Sequence, residues 1–100
     1  MTVTDDRALA AASWTVAAAE KDFTSGVSTV PATSATYAAG TATTTGTITV
    51  TTTDVTLSNF GQAVVTGSDG VGDNTATWNP TVAVNVPAGA YTGTLTQSVA

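Results

Sequence analysis

The longest alternating stretch of this chain is Thr41–Leu57, which reads Thr-Ala-Thr-Thr-Thr-Gly-Thr-Ile-Thr-Val-Thr-Thr-Thr-Asp-Val-Thr-Leu. Threonine recurs at every second position through most of it, and Ile48 and Val50 fall between the threonines. Successive side chains of a strand point to opposite faces. The alternation therefore predicts a long strand with a threonine face toward water and an apolar face toward a core.

Two irregularities interrupt this predicted strand. Gly46 lies inside the alternating run, where a glycine typically marks a bend or a bulge. Val55 and Leu57 fall on the threonine face by parity. We therefore expect a change of register near Thr52–Asp54.

Shorter alternating runs lie on both sides of this stretch and predict further strands. They are Ser13–Ala18, Thr36–Ala38, Gln62–Thr66, Thr75–Trp78, Thr81–Val86 and Tyr91–Val99. Residues 67–74 are rich in Gly, Asp and Asn and predict a loop, and Pro87–Ala90 predicts a turn. The only helix-favouring segment, Arg7–Ala12, is too short to form a stable helix and is interpreted as a turn.

About seven short strands without crossover helices are typical of an antiparallel sandwich. Residues 1–100 are accordingly predicted to form one all-β domain with an immunoglobulin-like antiparallel β-sandwich fold. The alternation places Val82, Val84 and Val86 inward. Trp14, Val84 and Leu95 are expected to be buried between the two sheets.

Composition excludes several classes of function. Only 9% of the residues are charged, Lys and Arg together number 2, and the net charge is −5. Two cations cannot neutralise a row of phosphates, which argues against a nucleic-acid partner. No run of apolar residues is long enough for membrane insertion by a helix.

The residue types needed for most catalytic sites are also missing. The chain contains no His and no Cys. A Ser-His-Asp triad, a thiol nucleophile and a His/Cys metal site are thereby excluded. No catalytic residue, metal ligand or cofactor is predicted, and the chain is interpreted as a non-enzyme. Calcium binding by Asp69, Asp73 and Asn74 stays open, with a plain solvated loop preferred.

Three segments of the chain follow a recognisable order. The first is Thr2–Arg7 followed by Ser13-Trp14-Thr15-Val16, the second is Trp78-Asn79-Pro80 followed by Val82–Pro87, and the third is Ala88–Thr96. Together they resemble the WxL domain, a cell-surface module of Gram-positive bacteria. In this resemblance Val16 takes the place of the Leu of the Trp-x-Leu strand. The family's second such motif would fall at Gln97-Ser98-Val99, where Gln97 takes the place of Trp.

The resemblance implies an extracellular, secreted β-sandwich at the bacterial cell surface that associates with the cell wall. The implied partner is a cell-wall glycan, peptidoglycan. Trp78, Trp14 and Gln97 are the candidate ligand-binding residues. Core packing is the preferred interpretation of Trp14, since it shares a face with Val16, whereas Trp78 stays open between a core position and a sugar-stacking platform.

The family also carries strands ahead of the Asp/Arg turn, and little of this chain precedes that turn. We therefore expect an unpaired sheet edge. A neighbouring chain or an upstream segment would cover such an edge by strand addition. This leaves an alternative function, a structural subunit of an extracellular fibre, pilus-like or surface-layer assembly. Its partners would be copies of the same chain, paired strand to strand.

Overall fold

The computed structural model describes residues 1–100 and consists almost entirely of β-strands. A single 3₁₀ turn, Ala32–Ser34, is the only helical element. The predicted all-β, antiparallel class is confirmed, and the immunoglobulin-like arrangement of sheets stays a prediction. The ten strands are β1 (Thr2–Asp5), β2 (Ala12–Glu20), β3 (Phe23–Thr24), β4 (Thr29–Val30), β5 (Ala35–Ala38), β6 (Thr43–Thr52), β7 (Val55–Thr56), β8 (Gln62–Thr77), β9 (Thr81–Val84) and β10 (Leu95–Val99).

The main sheet is organised around β8, its longest strand at 16 residues. On one side β8 pairs with β2 and then with β1, and on the other side it pairs with β6. β10 pairs with the far edge of β2, so the strand order is β6-β8-β2-β10 along the first half of β8 and β6-β8-β1 along its second half. All of these pairings are antiparallel. β6 is consequently the edge strand on one side of the sheet, and β1 and β10 are edge strands on the other side.

The main sheet is curled where β8 passes from β2 to β1. Asp69 and Gly72 have positive φ angles of 57° and 68°, and the register of β6 shifts on both sides of Thr47. Gly46 has a φ of 76°, and a Cβ there would clash with the backbone carbonyl of Asp73. The predicted irregularity at Gly46 is confirmed as a break in register, and the extra residues of the bulge lie on β8, which takes four steps from Thr75 to Val71 against two from Thr45 to Thr47.

The predicted loop at residues 67–74 is wrong, because this segment lies within β8. Its glycines allow close packing instead of a turn. A Cβ on Gly67 would overlap the indole ring of Trp14, and a Cβ on Gly70 would lie 3.0 Å from the Cδ1 atom of Ile48. Glycine in a strand interior often marks a bulge or a close approach of this kind.

A smaller sheet has the order β7-β5-β9, and β3 pairs with β4 in a separate hairpin. We expected a change of register near Thr52–Asp54, and the structure has a break there: β6 ends at Thr52, and β7 begins at Val55 in the smaller sheet. β9 pairs only with β5. The prediction that Val82 and Val84 point into the core is wrong, since they are 37% and 43% exposed. No other strand covers their side of β9.

The core is thin, as 19 of the 100 residues are buried. Trp14 lies within it and Leu95 packs partly buried against it, whereas Val84 does not, which corrects part of the predicted buried trio. Phe60 is the one fully exposed aromatic residue, at 81%. The twelve buried residues of the core cluster are Trp14, Val16, Ala18, Phe23, Ala35, Tyr37, Ala39, Leu57, Val64, Val65, Ala76 and Trp78.

Candidate functional site: a groove between two sheet edges

A buried hydrogen-bond chain joins two of the predicted ligand-binding residues through Tyr37. The indole Nε1 of Trp78 donates to the Tyr37 hydroxyl at 3.0 Å, and that hydroxyl donates to Oε1 of Gln97 at 2.7 Å. An indole N–H can only donate, so the Tyr37 hydroxyl accepts from it and gives its own proton to Gln97. The Gln97 amide is thereby oriented with its oxygen toward the core and its Nε2 toward Met1, whose Sδ lies at 3.5 Å.

Two adjoining cavities of about 170 and 100 Å³ lie between β1 and β10. Both are lined by Val3 and Val99, so they form one continuous depression, which we call the edge groove. Trp14 lines the larger cavity, while Trp78 and Gln97 line the smaller one. The structure therefore brings all three predicted ligand-binding residues to a single groove.

The two tryptophans contribute to this groove from the core. Trp14 is 5% exposed and Trp78 is 1% exposed, so neither presents an open ring face of the kind that stacks on a sugar. For Trp78, the structure favours the core position over the platform. The Nε1 atom of Trp14 is buried without a hydrogen-bond partner in the chain. This nitrogen packs against Gly67 of β8, where an unpaired buried donor costs free energy of folding.

An ion pair fixes the turn at one end of the groove. Arg7 binds the Asp5 carboxylate through two bonds, from Nε at 2.9 Å and Nη2 at 2.7 Å, and its backbone N–H donates to the same group at 3.1 Å. Nη2 also donates to the Ser13 carbonyl. The side-chain hydrogen bond from Arg7 is the main cause that lowers the pKa of Asp5 to about 2. The predicted turn at the Asp/Arg sequence is confirmed.

The backbone edges that border the groove are unpaired. Ala100 and Thr15 exchange two hydrogen bonds of 3.0 Å, which sets the alternation along β10. In an antiparallel ladder every second residue faces its partner, so Leu95, Gln97 and Val99 point their N–H and C=O groups away from β2. By the same argument, the exchange between Met1 and Trp78 leaves the backbone groups of Thr2 and Thr4 pointing away from β8.

A third cavity lies at the other end of β10, lined by Glu20, Lys21 and Asn59 among others. Glu20 is 4% exposed, and burial is the main cause that raises its pKa, opposed by a hydrogen bond from the Thr94 backbone. No group of three or more metal-ligating side chains meets anywhere in the chain. Asn74 is buried and donates to the Gly72 carbonyl at 3.3 Å, within the bulged part of β8.

Sequence reasoning missed several residues of the groove. Tyr37 was placed on a strand without its role in holding Gln97, and Val3 and Val99 were not singled out. The available signal was parity, since Val99 shares the face of Leu95 and Gln97. The approach of β1 to β10 depends on the curl of β8, which no local pattern indicates.

No family model matches this chain, and no match was found among curated proteins or among solved structures. The resemblance to the WxL domain therefore rests on the three quoted segments alone, and membership of that family stays a prediction. None of the elements is a helix long and apolar enough to cross a membrane.

Proposed function

We propose that this chain is a non-catalytic structural module of the bacterial cell surface, held in its assembly by strand pairing with a neighbouring polypeptide. The observation that carries the proposal is the pair of unpaired edges, β1 and β10, that border the edge groove. An exposed edge offers a row of N–H and C=O groups to any other extended chain. The extracellular setting comes from the resemblance to the WxL domain.

Two further features support assembly. The free edge of β9 carries the exposed Val82 and Val84, which gives the molecule a second adhesive strand at a different place. Different surfaces that pair head to tail generate filaments when the rotation does not close. The low content of charged side chains, 9%, removes one of the usual devices that prevent pairing between edges.

Negative-stain imaging and sedimentation test this proposal directly. Concentrated protein should form filaments or lattices, and the sedimentation coefficient should rise with concentration. Val84→Lys places a charge on an exposed edge strand and should shift the chain toward a monomer. Phe60→Lys is the matched control, since it adds the same charge at an exposed residue outside any strand. A protein that stays monomeric at every concentration would contradict assembly between copies.

Association with cell-wall glycan is the second candidate function. It is favoured by the Gln97 amide, whose Nε2 has only the weak acceptor Met1 Sδ as a partner and keeps a second N–H for a sugar oxygen, in addition to the resemblance stated above. A pull-down on purified peptidoglycan should retain the wild-type protein, and Gln97→Leu should reduce retention. Equal retention of Gln97→Leu and wild type would remove the groove from this candidate function.

A further inference from the structure

We infer that the edge groove is a receptor site for one extended peptide strand of a partner protein, with apolar side chains at every second position. This inference rests on the proposed function and names the partner chemistry and the site. Its first support is the sheet order, in which β1 and β10 are both edge strands on the side of β8 away from β6. The curl brings these two edges together across the groove without a ladder between them.

The direction of the two edges predicts the direction of the guest strand. Met1 and Thr2 share the smaller cavity with Gln97 and Ser98, whereas residues 5–7 share the larger one with Ala100. β1 and β10 therefore run the same way along the groove. A strand inserted between them in the opposite direction forms an antiparallel ladder with each, which is the only type of pairing that this protein uses.

The backbone groups at the groove define what the guest must supply. On β10, Leu95, Gln97 and Val99 present unpaired N–H and C=O groups, and on β1 Thr2 and Thr4 do the same. Two facing rows of alternating donors and acceptors match an extended polypeptide backbone, which carries both groups on both edges. The strands that border the groove have 4 and 5 residues, which limits the paired part of the guest to a similar length.

The side chains at the groove define the alternation of the guest. Val99 is 56% exposed although it lies on the inward face of β10, and Val3 lines both cavities opposite it. Val16 and the edges of the two tryptophans complete the apolar lining. Side chains of the guest that face this lining are therefore apolar, and those between them are polar.

A peptide titration followed by NMR tests the inference. The probe is acetyl-Lys-Thr-Val-Thr-Val-Thr-Lys-amide, and the matched control replaces both valines with threonine, which keeps charge and backbone. The probe should shift and protect from exchange the amides of Leu95, Gln97, Val99, Thr2 and Thr4. The control peptide should bind at least about tenfold more weakly, because it loses the apolar contacts. Absence of shifts at millimolar probe would overturn the inference.

Two variants locate the site. Val99→Asp places a charge among the apolar groove residues and should weaken binding of the probe by about tenfold or more. Val27→Asp adds the same charge at a residue that is 97% exposed and outside the groove, and should leave binding unchanged. Shifts that map to β9, or that persist in Val99→Asp, would overturn the groove as the site. Displacement of the probe by soluble muropeptide would instead assign the groove to wall glycan.

Peptide binding and self-assembly can fail separately. If the protein forms filaments but does not bind the probe, assembly takes place through β9, and the edge groove has no part in it. Probe binding by a protein that stays monomeric would support the groove and would identify a partner other than a second copy of this chain.

Discussion

At the residue scale, the Tyr37 hydroxyl is the polar group on which the interior beside the groove depends. It is fully buried and satisfies both Trp78 and Gln97. Tyr37→Phe keeps the ring but leaves the buried Nε1 of Trp78 and the part-buried Oε1 of Gln97 without this partner, so the free energy of unfolding should fall by about 2 kcal/mol. Urea denaturation measures this change. Tyr91→Phe, at a half-buried tyrosine outside this hydrogen-bond chain, is the control, and an equal loss in both variants would contradict the role of Tyr37.

The ionisation of Asp5 predicts that the stability of the fold depends on pH. Its pKa is lowered from 3.8 to about 2 in the folded protein, chiefly by the side-chain hydrogen bond from Arg7. A carboxyl with a lowered folded pKa stabilises the fold above its unfolded pKa, and this contribution is lost as the pH falls toward the folded value. Wild-type stability should therefore fall between pH 4 and pH 2.

The Asp5 contribution can be isolated by substitution. Asp5→Asn should remove part of the fall in the urea midpoint between pH 4 and pH 2, whereas Asp54→Asn, at an exposed carboxyl without this partner, should keep it. The Arg7 side chain is 50% exposed, so added salt should weaken the effect. Identical pH profiles for the two variants would show that the ion pair does not contribute.

At the element scale, the close approach of β6 to β8 can be tested by comparing alanine substitutions at two glycines. Gly46 and Gly72 both have positive φ, but only at Gly46 would a Cβ meet backbone atoms of the neighbouring strand. Gly72→Ala should cost about 1–2 kcal/mol, which is the strain of a left-handed alanine. Gly46→Ala should cost clearly more, because the strain is joined by a clash with Asp73. Thermal unfolding compares the two, and equal costs would contradict the close approach of β6 to β8.

The elements also show how far local patterns determine this fold. Period-2 alternation predicted β2, β5, β6 and β10, because one face of each of these strands is less exposed than the other. It failed at residues 67–74, since Gly and Asp favour turns locally while contacts with Trp14 and Ile48 require glycine within a strand. It failed at Val82 and Val84 because alternation indicates that one face is apolar, not that another element covers it.

The candidate site likewise depends on contacts between distant parts of the chain that local patterns do not indicate. Trp14, Trp78 and Gln97 were named from the sequence, but their meeting at one groove depends on pairings such as Thr2 with Thr77, which are 75 residues apart. Tyr37 could be placed on a strand by its neighbours. Its bond to Gln97, 60 residues away, could not be predicted without the curl of the sheet.

At the scale of the whole molecule, the chain is elongated and lightly buried. Its radius of gyration is 15.7 Å, against about 13 Å for a compact domain of this length. Its extents are 52 × 20 × 15 Å, and a body this narrow leaves strand edges and one apolar groove at the surface. A further strand in the groove would therefore bury apolar surface and pair the free backbone groups of β1 and β10. Both effects should stabilise a molecule whose own core is thin.

A chain that carries its own groove strand, which we call the self-complemented chain, tests whether a strand in the groove stabilises the fold. We extend Ala100 with Asn-Gly-Val-Thr-Val-Thr-Val, so that Ala100-Asn-Gly forms a three-residue hairpin loop and the new valines lie beside Val99, Gln97 and Leu95. The appended strand then runs antiparallel to β10 inside the edge groove. The melting temperature of the extended chain should exceed that of the unextended chain by about 4–8 °C for each kcal/mol that the new strand adds to the free energy of unfolding. The control tail, Asn-Gly-Ser-Gly-Ser-Gly-Ser, has the same length and no apolar side chain.

The self-complemented chain should also lose binding of the valine probe, because its own tail occupies the groove. An intramolecular strand competes at an effective concentration in the millimolar range, well above that of any added peptide at micromolar levels. Assembly through β9 should persist, since that edge remains free. Equal melting temperatures for the two tails, with probe binding retained in both, would mean that the groove does not accept a strand and that the gap between β1 and β10 is a property of the isolated fold alone.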